Sequence, residues 1–179
     1  MRTYLDKPGG PRTVRLMTGA WVLLALQAPV EAQTRITQYF VTPAALAFSA
    51  TDPDEGGPAP QQVSITVRLE HTQVQRSWTL YVESETDSLS GCGYIPASAL
   101  TAACTSATHD SGNNSAKAYC TSAPVPVSTT RAVVAYGNQG NRDHNLAVNL
   151  KISMADSWRY QAAMSPACTT SLRYTMVAP

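Results

Sequence analysis

Charge is scarce in this chain. Only 14% of its 179 residues are Asp, Glu, Lys or Arg, and the basic and acidic totals, 13 and 12, nearly cancel. That balance leaves no electrostatic reason to expect nucleic acid or an anionic lipid surface as a partner. Histidine is scarce too. His71, His109 and His144 are scattered, with no His-x-x-x-His or His-Glu-x-x-His spacing that would hold a metal. There is no Gly-x-Ser-x-Gly elbow to expose a serine nucleophile and no glycine-rich cofactor loop. No Cys-x-x-Cys pair exists, which argues against a zinc knuckle. Helical stripes, heptads and internal repeats are all missing. The expectation is therefore a protein with no catalytic residue, no cofactor and no metal.

What is present begins with an export signal. Arg2, Lys7, Arg12 and Arg15 form a basic leader, and Leu16 to Leu26 an uncharged apolar core too short for a stable membrane helix. Val30-Glu31-Ala32 supplies the small residues of a cleavage site, so residues 1–32 are expected to be a signal peptide and Gln33 the mature start. No second apolar run follows, which predicts no integral membrane segment after processing. Residues 33–179 are long enough for one domain with its own core. Without Arg2, Lys7, Arg12, Arg15, Asp6 and Glu31 that domain carries nine basic and ten acidic side chains. The destination expected is extracellular, cell-surface or periplasmic.

The domain alternates apolar and polar residues, the period of a half-buried strand. Val63, Ile65, Val67 and Leu69 form one such row. Trp78, Leu80 and Val82 form a second, Leu146, Val148, Leu150 and Ile152 a third, and Leu172, Tyr174 and Met176 a fourth. Weaker strands are expected over 36–41, 45–50, 95–104, 116–121 and 130–137. Between them stand turn-rich stretches, including Asp52-Pro53-Asp54-Glu55-Gly56-Gly57, Ser111-Gly112-Asn113-Asn114 and Gly137-Asn138-Gln139-Gly140. The pattern predicts an all-β, antiparallel, immunoglobulin-like sandwich of about eight or nine strands.

Four cysteines in an exported chain predict disulfides. A hairpin turning at Gly112-Asn113 would set Cys104 opposite Cys120, with Cβ atoms roughly 4.5–5.5 Å apart, a bridgeable distance. Cys92 and Cys168, each placed in a loop, then pair with each other. Closing the 104–120 loop should contribute about 3 kcal/mol.

Other candidate sites are thinner. Asp52, Asp54 and Glu55 cluster carboxylates as a calcium loop does, but no ligand stands at the twelfth position, and plain turn chemistry explains them equally. Asn113-Asn114-Ser115 fits a glycosylation sequon. Asp143-His144 beside Arg142 reads as a solvated turn. Trp78 shares a strand face with Leu80 and Val82, the mark of a core residue. Trp158 and Tyr160 are left as a possible surface aromatic contact for sugars.

Trp78-Thr79-Leu80, the Leu89-Ser90-Gly91 loop and a Tyr/Thr-rich last strand closed by Ala178-Pro179 resemble the WxL surface domains of bacteria over roughly residues 46–179. Ala155 to Tyr160 and the last strand are also similar to exported immunoglobulin-like bacterial proteins. Tyr174-Thr175-Met176 departs from the Trp-x-Leu of the family's second motif, and the four cysteines are foreign to its usual member. The resemblance implies a non-enzymatic module held at the cell envelope, on peptidoglycan or a surface partner.

Together these readings predict a disulfide-stabilised structural or adhesion module whose partner is an envelope component, a surface protein or itself. A second expectation is a fibre subunit whose N-terminal segment, with Ile36, Tyr39, Phe40 and Val41, completes a neighbour's sheet by strand addition. A third is a secreted carbohydrate-binding module or hydrolase, which would require a concave pocket.

Overall fold

Rows of alternating β-branched and polar residues have one stable arrangement in water: two sheets with their apolar faces together. The computed structural model of the chain describes residues 35–48, 59–70, 77–110, 115–154 and 168–178. All belong to one compact unit, Glu31–Pro179. The expected signal peptide, the Asp52, Asp54 and Glu55 loop, most of the sequon, and Trp158 and Tyr160 lie outside the described residues.

The long strands are β1 (Arg35–Thr42), β3 (Gln61–Glu70), β4 (Ser77–Ser84), β7 (Leu100–His109), β8 (Lys117–Cys120), β10 (Ala132–Asn138), β11 (His144–Met154) and β13 (Leu172–Val177). Short ones are β2 (Leu46–Phe48), β5 (Ser88–Leu89), β6 (Cys92–Pro96), β9 (Val125–Pro126) and β12 (Cys168–Thr170). One sheet has the order β1-β3-β11-β7-β9 and the other β13-β4-β10-β8. Every pairing in both is antiparallel. All nine expected strands are present. The run expected over 95–104 is broken by a 3-10 turn at Ala97–Ala99, where buried Ala97 and Ala99 tuck the chain inward between β6 and β7.

Strands β3, β4, β7 and β8 alternate between the sheets, and β10, β11 and β13 do so again, so that β11 pairs with β3 and β13 with β4 across long stretches of sequence. The core follows from register. Val63 faces Leu150, Ile65 faces Val148 and Val67 faces Leu146, and all six are buried. Trp78, Leu80 and Val82 of β4 supply the opposite wall, also buried. Each such side chain stabilises the fold by roughly 1.5–3 kcal/mol on leaving water. The same parity corrects the reading of His144. It is no solvated turn residue but the buried first member of the inward row of β11.

The disulfides form in the expected pairs, Cys92–Cys168 and Cys104–Cys120, with Cα separations of 5.6 and 5.3 Å. The hairpin that suggested the second pair does not exist in that form. β7 and β8 belong to different sheets, so Cys104–Cys120 bolts one sheet to the other. Cys92 and Cys168 begin strands rather than sit in loops, and their bridge joins ribbon β5–β6 to ribbon β2–β12. Reciprocal backbone bonds between Ser90 and Thr169, 2.7 and 3.1 Å, reinforce that junction. Gly91, with φ of 80°, makes the turn between β5 and β6.

Gly137 was expected to open a turn; it lies inside β10 instead. A Cβ there would collide with the Lys117 carbonyl and come within 2.7 Å of Trp78 Cζ2. The missing side chain is what lets β8 and the indole approach β10.

Candidate functional site

The two open sides of the sandwich differ. On one, β1 and β13 are the outermost strands, and the Tyr39 hydroxyl donates to the Tyr174 carbonyl at 3.0 Å. Burial pushes the Tyr39 phenol up to about 12. It also raises Tyr174, to which the nearby Tyr39 charge adds. Both phenols at this seam stay neutral; that of Tyr39 donates, whereas the buried Tyr174 hydroxyl has no hydrogen-bond partner among the described residues.

The opposite seam is open. β9 pairs with β7 only at Thr101 and Ala102, so from Ala103 to His109 the outer edge of β7 meets no strand among the described residues. β8 is likewise outermost in its sheet. Beyond the Cys104–Cys120 bridge the two edges enclose a cleft of about 410 Å³, lined by Ala107, Thr108, His109, Ala116, Lys117, Ala118 and Tyr119. Three of these seven are alanines, too short to fill the gap between the sheets.

Around the edge of the cleft lies the outer face of the four-stranded sheet. Inward-pointing Cys120 and Ala118 force Lys117 and Tyr119 outward, because neighbouring residues of a strand face opposite ways. Tyr119 stands opposite Tyr136 in register, with ring centroids 5.6 Å apart and planes tilted by 35°. They are 50% and 47% exposed, so neither ring is held as a core residue. Further along this face Glu83 sits 3.3 Å from Arg131 and 3.7 Å from Arg173, whose other nitrogen is 2.9 Å from Glu85. Both arginines are thereby neutralised. Lys117 has no acidic partner among the described residues, in contrast to Arg68, which lies 3.9 Å from Asp143.

His109 lines the cleft, and its ring meets His144 edge to face at 5.9 Å and 82°. His109 Nδ1 donates to the Asp110 carbonyl at 3.1 Å and His144 Nδ1 to the Arg142 carbonyl at 3.2 Å. Each bond places the neutral ring's proton on Nδ1. Burial lowers the pKa of His144; its carbonyl bond and the charges of Asp110 and Asp143 oppose that, while His109 adds to it.

Of the aromatic residues singled out from sequence, Trp158 and Tyr160 lie outside the described residues. Trp78 is 1% exposed and its Nε1 has no acceptor among the described residues; it is core, as expected. Leu80 is buried as well, so the Trp-x-Leu run is interior in this chain. Ile36, Tyr39, Phe40 and Val41 lie in β1, paired along β3 from Arg35↔Glu70 to Thr42↔Ser64. Phe40 is 60% exposed, and Ile36 and Val41 are only half-buried. Tyr119, Tyr136 and Lys117 were missed. The signal was available in part: Lys117 and Tyr119 share a strand parity opposite to that of Cys120. Their meeting with Tyr136 depends on the β8–β10 pairing, which no local pattern announces.

Compared with known protein families, curated proteins and solved structures, the chain matches none.

Proposed function

We propose that this protein is an exported, non-catalytic module of the cell envelope that acts by binding. The observation that carries the reading is the pair of disulfides, one bolting the two sheets together and the other fastening the short ribbons. Such bridges persist in oxidising compartments, in keeping with the export signal read at residues 1–32. A sandwich stapled in this way holds its sheet faces and free edges rigid outside the cell, which suits adhesion or assembly. The partner is an envelope component or a surface protein. Incubating the purified domain with cell-wall sacculi and with intact cells tests this: co-sedimentation that saturates is expected, with no turnover of glycosidase, esterase or protease substrates. Activity abolished by one Ser, Asp or His substitution would overturn the reading.

A second reading, assembly into fibres by strand addition, draws on β1. None of its described side chains is fully buried, whereas its partner β3 buries Val63, Ile65, Val67 and Leu69. Releasing β1 costs its backbone bonds, the partial packing of Ile36 and Val41 and the Tyr39–Tyr174 bond, and would open the edge of β3 to a neighbour. Concentration-dependent ladders and filaments in electron micrographs are the expected signs; a monomer at all concentrations would end this alternative.

A further inference from the structure

We propose that the Tyr119–Tyr136 pair and Lys117, at the mouth of the cleft between β7 and β8, form a binding site for a carboxylate-bearing saccharide. The inference rests on the surface-module reading and names its ligand class.

Three observations converge on one place. The first is the ring pair. A cross-strand tyrosine pair can serve only to stiffen a sheet, and then it needs no companions. These rings keep about half their surface in water, and Tyr119 stands on the edge strand β8 with Tyr136 on β10 beside it, so a ligand reaches the pair from the face and Tyr119 also from the side. Sugar rings present flat patches of C–H that pack on aromatic faces, and tyrosine adds a hydroxyl for polar contact. The centroid spacing of 5.6 Å is about the span of one pyranose, so adjacent sugars of a chain can rest on adjacent rings.

The second observation is charge. Of the cations on this outer face, Arg131 and Arg173 are neutralised by Glu83 and Glu85. Lys117 is exposed, two residues from Tyr119 on the same side of β8, and makes no ion pair among the described residues. An unneutralised ammonium beside an aromatic platform selects an anion over a neutral sugar, and its flexible stem follows a carboxylate on a saccharide. The third is the cleft, whose alanine walls leave room at the same edge, with Thr108 and His109 also on its lining. A chain laid across the tyrosines can turn a substituent into it.

The test uses the folded mature protein and oligogalacturonate, whose methyl-esterified form is the same chain with its carboxylates blocked. Calorimetric titration should show saturable binding of the acid form, weakened at least tenfold by raised salt or by esterification. Tyr119→Ala or Tyr136→Ala should lower affinity at least tenfold. Lys117→Gln should lower it several-fold and remove most of the salt dependence. Tyr94→Ala, which removes a 65% exposed ring on β6 outside the site, should change nothing. Equal binding of acid and ester forms, or no binding of either, overturns the proposal. So does acid-form binding that survives both tyrosine substitutions. Sacculus binding measured on the same variants separates the two levels. If it persists in Tyr119→Ala while oligogalacturonate is ignored throughout, this site is wrong and the envelope reading stands. Oligogalacturonate binding without any attachment to cells or walls does the reverse.

Discussion

Gly137→Ala should be the most damaging single-methyl change in the described part of this domain. The added carbon meets two obstacles at once, the Lys117 carbonyl on β8 and Trp78 Cζ2 at 2.7 Å. The first is backbone, hydrogen-bonded into the sheet, and the second is the edge of a buried indole fixed by its neighbours; neither moves alone. Overpacking costs about 1–3 kcal/mol, occasionally more, and a clash with backbone belongs at the upper end, about 3 kcal/mol. For a domain of this size each kcal/mol corresponds to a fall in Tm of roughly 2–4 °C, which gives roughly 6–12 °C. Gly93→Ala is the matched control. A Cβ at Gly93 meets nothing within 4 Å, and neither glycine has a positive φ. There the change should be neutral or should raise Tm slightly by restricting the unfolded chain. Because the clash displaces β8, Gly137→Ala should also disturb the Tyr119–Tyr136 pair and quench any tyrosine-dependent binding. Thermal melts followed by circular dichroism decide the matter. Equal Tm for the two variants would refute the close approach of β8 to β10.

Three further outcomes follow from the same geometry. Trp78→Ala should cost about 3–5 kcal/mol, whereas Trp78→Phe should cost less, because it also removes a buried N–H without an acceptor among the described residues; denaturant melts of both variants would expose a wrong ordering. Opening Cys92–Cys168, with a separation of 76 residues, should destabilise more than opening Cys104–Cys120, with a separation of 16. Loop entropy gives about 4.5 against about 3 kcal/mol, and Cys→Ala double variants compared in urea would contradict this by reversing the order. Burial lowers the His144 pKa from its ordinary 6.5, so the unfolded chain takes up a proton before the folded one does. Stability should therefore be full above about pH 6.5 and decline as pH falls through the window below it, and His144→Gln should flatten that decline.

Strand identity was legible because it is a local property. A row such as Val63, Ile65, Val67 and Leu69 states its period and its buried face in eight residues, and tertiary packing had no cause to override it. The break at Ala97–Ala99 was hidden for the same reason, since three small residues neither violate alternation nor announce a turn. His144 shows how neighbours mislead. Arg142 and Asp143 signal water, but the inward row of β11 begins one residue later, and parity with Leu146 outranks adjacency. Gly137 reads as punctuation in the sequence because glycine usually ends a strand, and only the crowding of Trp78 and Lys117 explains a glycine within one.

The cysteines mark where local reasoning ends. A hairpin at Gly112-Asn113 gives Cys104 its right partner but requires β7 and β8 to hydrogen-bond to each other. Their actual neighbours are β11 and β9 for β7, and β10 for β8. Proximity in a connected pair of strands survives that error, because two strands joined by a short loop stay close even when each joins a different sheet. What does not survive is the shape between them. Two strands in one sheet leave no space, whereas two edges of facing sheets leave a gap that side chains must fill, and Ala107, Ala116 and Ala118 are too short to do so. The cleft and its tyrosine rim thus arise because β7 and β8 lie in different sheets, which depends on β11 pairing with β7 and β10 with β8. On the opposite seam the same gap receives Tyr39 and Tyr174, and there the sandwich is shut.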